Sequence, residues 1–285
     1  MPKNRYDGRR IKSLEPIQMI MPYLMKTRTD SMNMYEDTIP CEVFDKYIKE
    51  KSEVGIKLDY MHKFIAAIVR MFALRPKLNR FIMNGRIYAR KKIWVSFAIH
   101  HDLSGEHDET TIKLAFDGTE SILEIAQILN EAIEKETTKH EGTNATDDLA
   151  KLVTSVPGPI IRLVVNFLMW MDRHNILPKA VIEASPFHTS FFITNLKSLG
   201  INHIYHHTYE FGTTGIFFAM GKEKMIPVYK HEQFVPEKHM SFGLVMDERF
   251  CDGLYFARSL RQLRKLLRNP TTMEKPLEAK VEDDE

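Results

Sequence analysis

The strongest constraint on the fold is a change of apolar period between Asp59 and Ile99. Up to Pro76, apolar residues recur at three- and four-residue steps, which is typical of an amphipathic helix. Beyond it, Asn84-Gly85 separates two short β-type runs, and this dipeptide predicts a hairpin. The run from Ile93 to Ile99 predicts another strand. A helix followed at once by a hairpin and a strand indicates an α/β fold.

Further elements follow the same two periods. Strands are predicted at Thr110 to Phe116, Ser190 to Thr194, Gly215 to Met220 and Ser241 to Met246, and a final helix at Leu254 to Leu267. Ser121 and Glu124 have capping-box spacing, so another helix is expected to start there. The polar segment 135–148 is predicted to be a flexible loop.

One apolar run, from Pro159 to Met171, is interrupted by Arg162 and Asn166. It is too short to cross a bilayer, which takes about 20 apolar residues. We therefore expect a buried or interface helix, and keep a membrane-surface or acyl-binding helix as the alternative.

The balance of charged residues bears on whether the chain binds nucleic acid or a membrane. The 285 residues contain 40 lysines and arginines against 38 aspartates and glutamates, so no global field favours nucleic acid or a membrane as a partner. The basic N-terminus and the acidic segment 271–285 are expected to be frayed or disordered, with one domain at 1–270. The two cysteines, Cys41 and Cys251, are far apart in sequence and no signal segment follows Met1, which predicts a reducing cytoplasm.

The segment from Met246 to Gly253, which reads Met-Asp-Glu-Arg-Phe-Cys-Asp-Gly, carries the functional prediction. It resembles the His-x-x-x-Asp-Gly motif, often Asp-His-Arg-x-x-Asp-Gly, of chloramphenicol acetyltransferase and of the dihydrolipoyl acyltransferases of 2-oxoacid dehydrogenase complexes. Asp247, Arg249, Asp252 and Gly253 match this pattern. Glu248 stands where the family has its general-base histidine.

Three other blocks resemble the same family and extend the similarity over roughly residues 57–270. They are Ala73 to Asn79 with the hairpin and strand after it, Ser190 to Leu196 with Gly200, and Phe211 to Gly221. Ser190 to Leu196 is similar to the family's Thr-Ile-Ser-Asn-Leu-Gly segment. The chain enters this region without a lipoyl or subunit-binding module, so we expect a stand-alone member. Residues 135–184 have no clear counterpart in the dihydrolipoyl enzymes.

The resemblance implies a chloramphenicol acetyltransferase-like mixed sheet flanked by helices, assembled as a homotrimer with sites between subunits. It implies coenzyme A or acyl-coenzyme A as substrate, a small thiol, hydroxyl or amine as acceptor, and no metal. Ser190 takes the position of the serine that donates to the oxyanion. Asp252 is expected to hold the turn through an arginine, and Gly253 to permit a tight entry into the helix.

Glu248 is the weak point of this prediction. With reference pKa values of about 4.3 for glutamate, 6.5 for histidine and 8.5 for a thiol, a glutamate base handicaps thiol deprotonation by about 3 kcal/mol. Burial beside Phe250 would recover part of this, whereas Arg249 would oppose it. Two hypotheses stay open: an acyltransferase that uses Glu248 or a displaced base, and a pseudoenzyme that keeps the trimer as a binding or regulatory module.

Other side chains were weighed as substitutes. His188, two residues before Ser190, is a possible alternative base because residues i and i+2 of a strand share a face. The histidines at 203, 206 and 207 are interpreted as loop residues rather than metal ligands. Cys251 is interpreted as core filling rather than as an acyl acceptor. The cations Arg86, Arg90, Lys91 and Lys92 are interpreted as a solvated hairpin, with contact to coenzyme A phosphates as the alternative.

Overall fold

A computed structural model describes residues 4–100, 109–137, 148, 151, 154–155 and 157–283. The strands are β1 (Gly8–Arg10), β2 (Met32–Pro40), β3 (Arg80–Met83), β4 (Arg86–Arg90), β5 (Ile93–His100), β6 (Glu109–Phe116), β7 (Phe191–Asn195), β8 (Ile216–Lys230) and β9 (Gln233–Asp247). The helices are α1 (Pro16–Leu24), α2 (Glu42–Glu53), α3 (Tyr60–Leu74), α4 (Ile122–Thr137), α5 (Gly158–Arg173), α6 (Lys179–Ala184) and α7 (Gly253–Arg268).

The main sheet has six strands in the order β2-β9-β8-β7-β5-β6. Strand β7 pairs in parallel with β5 and β8, and the remaining pairs are antiparallel. A second sheet has the order β1-β4-β3. The α/β class with a mixed sheet, predicted from the sequence, is confirmed.

Two local predictions are confirmed by their backbone and cap geometry. Asn84 and Gly85 both have positive φ, 49° and 68°, as the tight turn between β3 and β4 requires. At the start of α4, the amide of Ser121 donates to Glu124 over 2.7 Å, and the amide of Glu124 donates to the Ser121 hydroxyl over 3.2 Å. This reciprocal pair is a capping box.

Helix α3 is the centre of the core, since every residue from Tyr60 to Ala73 is buried. Its Phe64 meets Phe242 of β9 with ring centroids 5.6 Å apart, and Phe72 meets Phe191 of β7 at 5.4 Å. These contacts place α3 on one face of the main sheet. Asp59 caps the helix, because its carboxylate accepts from the amide of His62.

The hairpin of β8 and β9 is longer than the sequence suggested. Each strand has 15 residues, and Pro227 pairs with Pro236 in the half that extends away from the core. Prolines and exposed polar residues hid this half from a search for apolar strands. His231 and Glu232, with φ of 50° and 64°, form its turn.

Helix α5 is not the buried helix that was one of its predictions, whereas an interface helix stays a prediction. Of its 16 residues only Asp172 is buried, so the apolar helix is not enclosed within its own chain. The predicted loop 135–148 begins inside α4, which continues to Thr137, and residues 138–147 lie outside the described part of the chain.

Both terminal segments are more ordered than expected. Arg5 and Asp7 are buried, although the N-terminus was predicted to be frayed. The segment up to residue 283 also differs from the predicted disordered tail. The Asp283 carboxylate accepts two hydrogen bonds of 2.7 Å from the buried guanidinium of Arg80. Charge pairing with distant residues attaches both segments, and local sequence does not reveal such pairs.

Lys63 of α3 provides a test of the core. Its ammonium group is fully buried and lies 4.3 Å from the ring centre of Phe44 and 4.5 Å from that of Tyr60. Burial lowers its pKa to about 7, from 10.5 for an ordinary lysine. Between pH of about 7 and 10.5, Lys63 is protonated in the unfolded chain and neutral in the folded protein. The stability of the wild type therefore rises with pH in this window, by up to about 1.4 kcal/mol per pH unit.

We expect Lys63→Met to be more stable than the wild type at neutral pH and to show a smaller rise of stability towards pH of about 10. Urea unfolding across this range measures both effects. Some slope should remain, because burial also lowers the pKa of Lys113 to about 7. Lys46→Met, at an exposed position of α2, is the control and should keep the full slope. If the free energy of unfolding of Lys63→Met rose with pH as steeply as that of the wild type, Lys63 would not be the source of the pH dependence.

Candidate functional site

The turn after β9 is organised by an ion pair within the motif. Asp247 ends the strand, and its carboxylate accepts from Arg249 through Nε at 2.8 Å and Nη2 at 2.6 Å. It also accepts from the backbone amide of Arg249 at 3.1 Å. Both side chains are buried, so the fork-like pairing fixes the backbone from 247 to 249.

The same pair attaches the segment that leads into β2. The Ser31 hydroxyl donates to Asp247 Oδ1 at 3.0 Å, and Arg249 Nη1 donates to the carbonyl of Met25 at 3.1 Å. Asp247 and Arg249 therefore have a structural role that extends beyond their own turn.

Asp252 does not have the role expected of it. Its exposed carboxylate accepts from the amide of Tyr255 at 2.8 Å and so caps α7, whereas the arginine partner belongs to Asp247. Gly253 is not required by crowding within one chain, because a Cβ added there would meet no atom within 4 Å. Asp247 thus has the arginine partner that the resemblance implied for Asp252.

Glu248 is the exposed residue of this turn. Its carboxylate oxygen Oε2 is 3.4 Å from the side-chain nitrogen Nδ2 of Asn33, which is long for a hydrogen bond. Phe250, which was expected to shield it, points into the core instead. A Cβ added to Gly215 would lie 2.8 Å from the Phe250 ring. Among the described residues of one chain, Phe250 therefore does not cover Glu248.

Ser190 lies just before β7 and is buried. Its hydroxyl accepts from the amide of Trp94 at 2.9 Å, and its own amide donates to the carbonyl of Trp94. Ser190 and Glu248 are at the same end of the sheet but on opposite sides of β8. Two strand spacings separate them by roughly 10 Å, so one chain does not bring them together.

His188 is buried, and both ring nitrogens face partners. Nδ1 is 2.8 Å from the Ser185 hydroxyl, and Nε2 is 3.3 Å from a carboxylate oxygen of Asp172. Burial lowers the pKa of His188 below its ordinary value, although Asp172 opposes this shift. Burial would raise the pKa of Asp172, but the hydrogen bond from His188 and the charge of Arg5 hold it at about 2. This geometry favours a structural role for His188 over that of a base.

His188 belongs to a buried ion network that the sequence did not reveal. Arg5 bridges Asp172 at 2.7 Å and Asp7 at 2.8 Å, and Asp7 bridges Arg90 at 3.1 Å. The network joins the N-terminal segment, the second sheet and the last turn of α5. Its members are up to 183 positions apart in sequence, so no periodic pattern could have predicted it.

The other candidates have structural explanations. Burial raises the pKa of the Cys251 thiol to about 12, which makes it a poor acyl acceptor at neutral pH. His203 Nε2 is 3.0 Å from Glu36, and His206 stacks on Phe217. Among the described residues, no three histidine, cysteine or acidic side chains are grouped to hold a metal.

Comparisons with known proteins bear on the family pattern and the fold. Residues 187–274 match the family model described as 2-oxoacid dehydrogenases acyltransferase (catalytic domain), and this range includes Ser190 and the motif. No curated protein matches the chain.

Solved structures extend the agreement to most of the chain. The cubic core of the pyruvate dehydrogenase multienzyme complex has a TM-score of 0.58 at 14% identity, covering 93% of this chain and 94% of that one. The dihydrolipoamide acetyltransferase of Azotobacter vinelandii has the same score and coverage at 16% identity. A chloramphenicol acetyltransferase has a TM-score of 0.53 at 10% identity, covering 91% and 99%.

These structures define the class, because they share one acyltransferase fold with this chain over about nine-tenths of its length. The resemblance predicted from the sequence is confirmed. The chain has the fold of the 2-oxoacid dehydrogenase acyltransferases, and its segment 187–274 carries their sequence pattern.

The two aspartates of the motif should differ sharply on mutation. Asp247→Asn leaves Arg249 as a buried charge without its counter-ion, which should lower the free energy of unfolding by about 3 kcal/mol or more. Asp252→Asn should cost less than about 0.5 kcal/mol, because asparagine caps helices as well as aspartate does. Urea unfolding of both variants tests this assignment. Equal losses would contradict it.

Proposed function

We propose that this chain is a coenzyme A-dependent acyltransferase for a small thiol, hydroxyl or amine acceptor, with Glu248 as the proton acceptor. The observation that carries the proposal is the organisation of the turn. The buried ion pair of Asp247 and Arg249 fixes the backbone of the turn, and Asp252 caps the next helix. Glu248 is exposed at the position of the family's base. The acyl acceptor, the acyl-coenzyme A donor and a cytoplasmic location are all part of this proposal. The location is supported by the two cysteines, which are both free thiols.

Residue spacing in the Azotobacter enzyme supports the alignment. A serine, a histidine and an asparagine have been investigated for their roles in its catalytic mechanism, and the asparagine is four positions after the histidine. Glu248 and Asp252 are also four positions apart. The serine of that enzyme precedes its histidine by 52 positions. In this chain Thr194 precedes Glu248 by 54 positions and Ser190 by 58.

Thr194 is therefore a second candidate for the oxyanion donor. It aligns with the serine of the Thr-Ile-Ser-Asn-Leu-Gly segment, is half-buried, and lies near the carboxyl end of β7. Ser190 already uses its hydroxyl as an acceptor for Trp94. Thr194 pairs in register with Ala219, and Ala219 with Gly243, which is five positions before Glu248. Roughly 17 Å along the strands thus separates Thr194 from Glu248, so a complete site needs a second subunit.

The proposed reaction balances without a metal. The acceptor gives its proton to the Glu248 carboxylate as it attacks the thioester carbonyl of acyl-coenzyme A, and the hydroxyl donor stabilises the oxyanion. Collapse of the tetrahedral intermediate breaks the carbon–sulfur bond. The departing thiolate of coenzyme A then takes the proton from Glu248. A homotrimer would supply donor and base from neighbouring chains.

The hairpin offers cations for coenzyme A phosphates, but fewer than the sequence suggested. Arg90 is buried and bound to Asp7 and Thr213. Lys91 and Lys92 are exposed beside a cleft of about 280 Å³. These two lysines are the ones that we propose for phosphate contact.

A pseudoenzyme is the second candidate. The observation that favours it is the absence of apolar cover on Glu248 within one chain, since a solvated carboxylate is a weak base towards a thiol. In this case the fold and its assembly would serve binding or regulation.

Release of free thiol from acetyl-coenzyme A with a panel of acceptors separates the two candidates. The proposal predicts activity in the wild type, a loss of about a hundredfold or more in kcat for Glu248→Gln, and unchanged activity for the control Glu232→Gln. Thr194→Ala should lower kcat with little change in KM if Thr194 is the oxyanion donor; Ser190→Ala should do so if Ser190 is. An inert wild type together with an active Glu248→His would support the pseudoenzyme instead.

A further inference from the structure

The last turn of α5 lines a cavity of about 250 Å³. Its other walls are the segment after α1, the turn between β3 and β4, and residues 210–212. The sequence predicts no counterpart of residues 135–184 in the dihydrolipoyl enzymes, so the α5 wall is expected to be particular to this chain. No helix in the described part of the chain, α5 included, is long and apolar enough to span a membrane.

Six charged side chains line the cavity, and some of them neutralise each other or a neighbour. The six are Lys26, Arg28, Arg173, Arg249, Asp172 and Glu210. Arg249 is neutralised by Asp247, to which it donates two side-chain hydrogen bonds. Asp172 belongs to the buried ion network, in which two arginines balance two aspartates.

The remaining charges leave an excess of positive charge at the cavity. Lys26, Arg28 and Arg173 are opposed by Glu210 alone, which is a surplus of two charges. Among the described residues, Lys26 and Arg173 have no carboxylate within ion-pair distance. The Glu210 carboxylate already accepts from the backbone amides of Arg28 and Thr29, at 2.9 and 3.1 Å. The cavity is therefore electrostatically suited to an anion.

Arg28 supplies a buried donor without a partner. Only 5% of this residue is exposed, and its Nη1 donates to the carbonyls of Tyr209 and Glu210, both at 3.1 Å. These bonds fix the plane of the guanidinium. Its Nε is buried and has no hydrogen-bond partner among the described residues.

Other arginines of the protein show what this edge of a guanidinium binds. Arg80, Arg249 and Arg264 each donate to a carboxylate through Nε and Nη2. At Arg28 no acid of the described chain takes that place. A buried donor without a partner costs free energy, which an anionic oxygen would recover.

We propose that this cavity binds a small organic phosphate, with its phosphoryl group beside Lys26, Arg28 and Arg173. A phosphate ester carries about −1.5 to −2 charges at pH 7 and three acceptor oxygens, which match the surplus charge and the three cations. The carbon part would lie against the apolar residues of the wall, which are Pro22, Ile82, Met83, Met169 and Phe211. Pockets for drug-sized ligands measure roughly 300–1,000 Å³, so this ligand is smaller.

Titration calorimetry with glycerol 3-phosphate tests the site without any measure of catalysis. The wild type should bind it saturably and should not bind glycerol, because the phosphoryl group makes the charged contacts. Lys26→Gln with Arg173→Gln should weaken binding at least about tenfold. Lys46→Gln with Arg258→Gln is the matched control, since it removes the same charge at exposed positions outside the cavity, and it should bind like the wild type.

Thiol labelling locates the bound ligand. Both native cysteines are buried, so an introduced cysteine is the accessible one. Met169→Cys, in the wall of the cavity, should react with iodoacetamide several-fold more slowly when glycerol 3-phosphate is bound. Leu163→Cys, at a position of the same helix that is 69% exposed, should react at the same rate with and without the ligand.

Four results would overturn the proposal. They are a wild type without saturable binding, equal binding by the two double variants, binding of inorganic phosphate or succinate as tight as that of glycerol 3-phosphate, and displacement of the probe by coenzyme A. The last result would make the cavity part of the acyl-donor site. Glu248 does not line the cavity, so Glu248→Gln should bind the probe like the wild type, whatever its effect on acyl transfer.

Discussion

The complete enclosure of α3 is the constraint on which the rest of the structure depends. A helix with no solvent-facing side needs neighbours all around it, and here the sheet, α4, α7 and the C-terminal segment supply them. The C-terminal segment is attached through this helix. Arg70 donates to the carbonyls of Glu120 and Lys275, and the amide of Val281 donates to the carbonyl of Ala73. The order of the segment up to residue 283 is therefore a consequence of covering α3.

The fold makes little use of the side chain at position 248. Asp247 holds the turn, Phe250 fills the core, and Asp252 starts α7, so each neighbour of Glu248 has a structural role. Glu248 has one long contact, to Asn33. A change of residue at position 248 is therefore expected to leave the fold intact.

The sequence predicted those elements whose signals are local. The Asn84-Gly85 turn, the capping box at Ser121 and the apolar strands β5 and β7 depend on neighbouring residues, and each was found. The distal half of β8–β9 was missed because its strands carry prolines and polar residues. The period of the apolar residues also predicted a solvent-exposed side for α3, whereas the structure buries that side, including Lys63. Residues that bury charge through distant partners cannot be found from the spacing of apolar residues.

The candidate site also depends on partners that are distant in sequence. His188 was attractive as a base because it is close to Ser190 in sequence, but its ring is held by Ser185 and by Asp172 of α5. Asp172 is also the one buried residue of α5, and its ion pair with Arg5 attaches the last turn of that helix. The exposed apolar residues of α5 remain available to another surface.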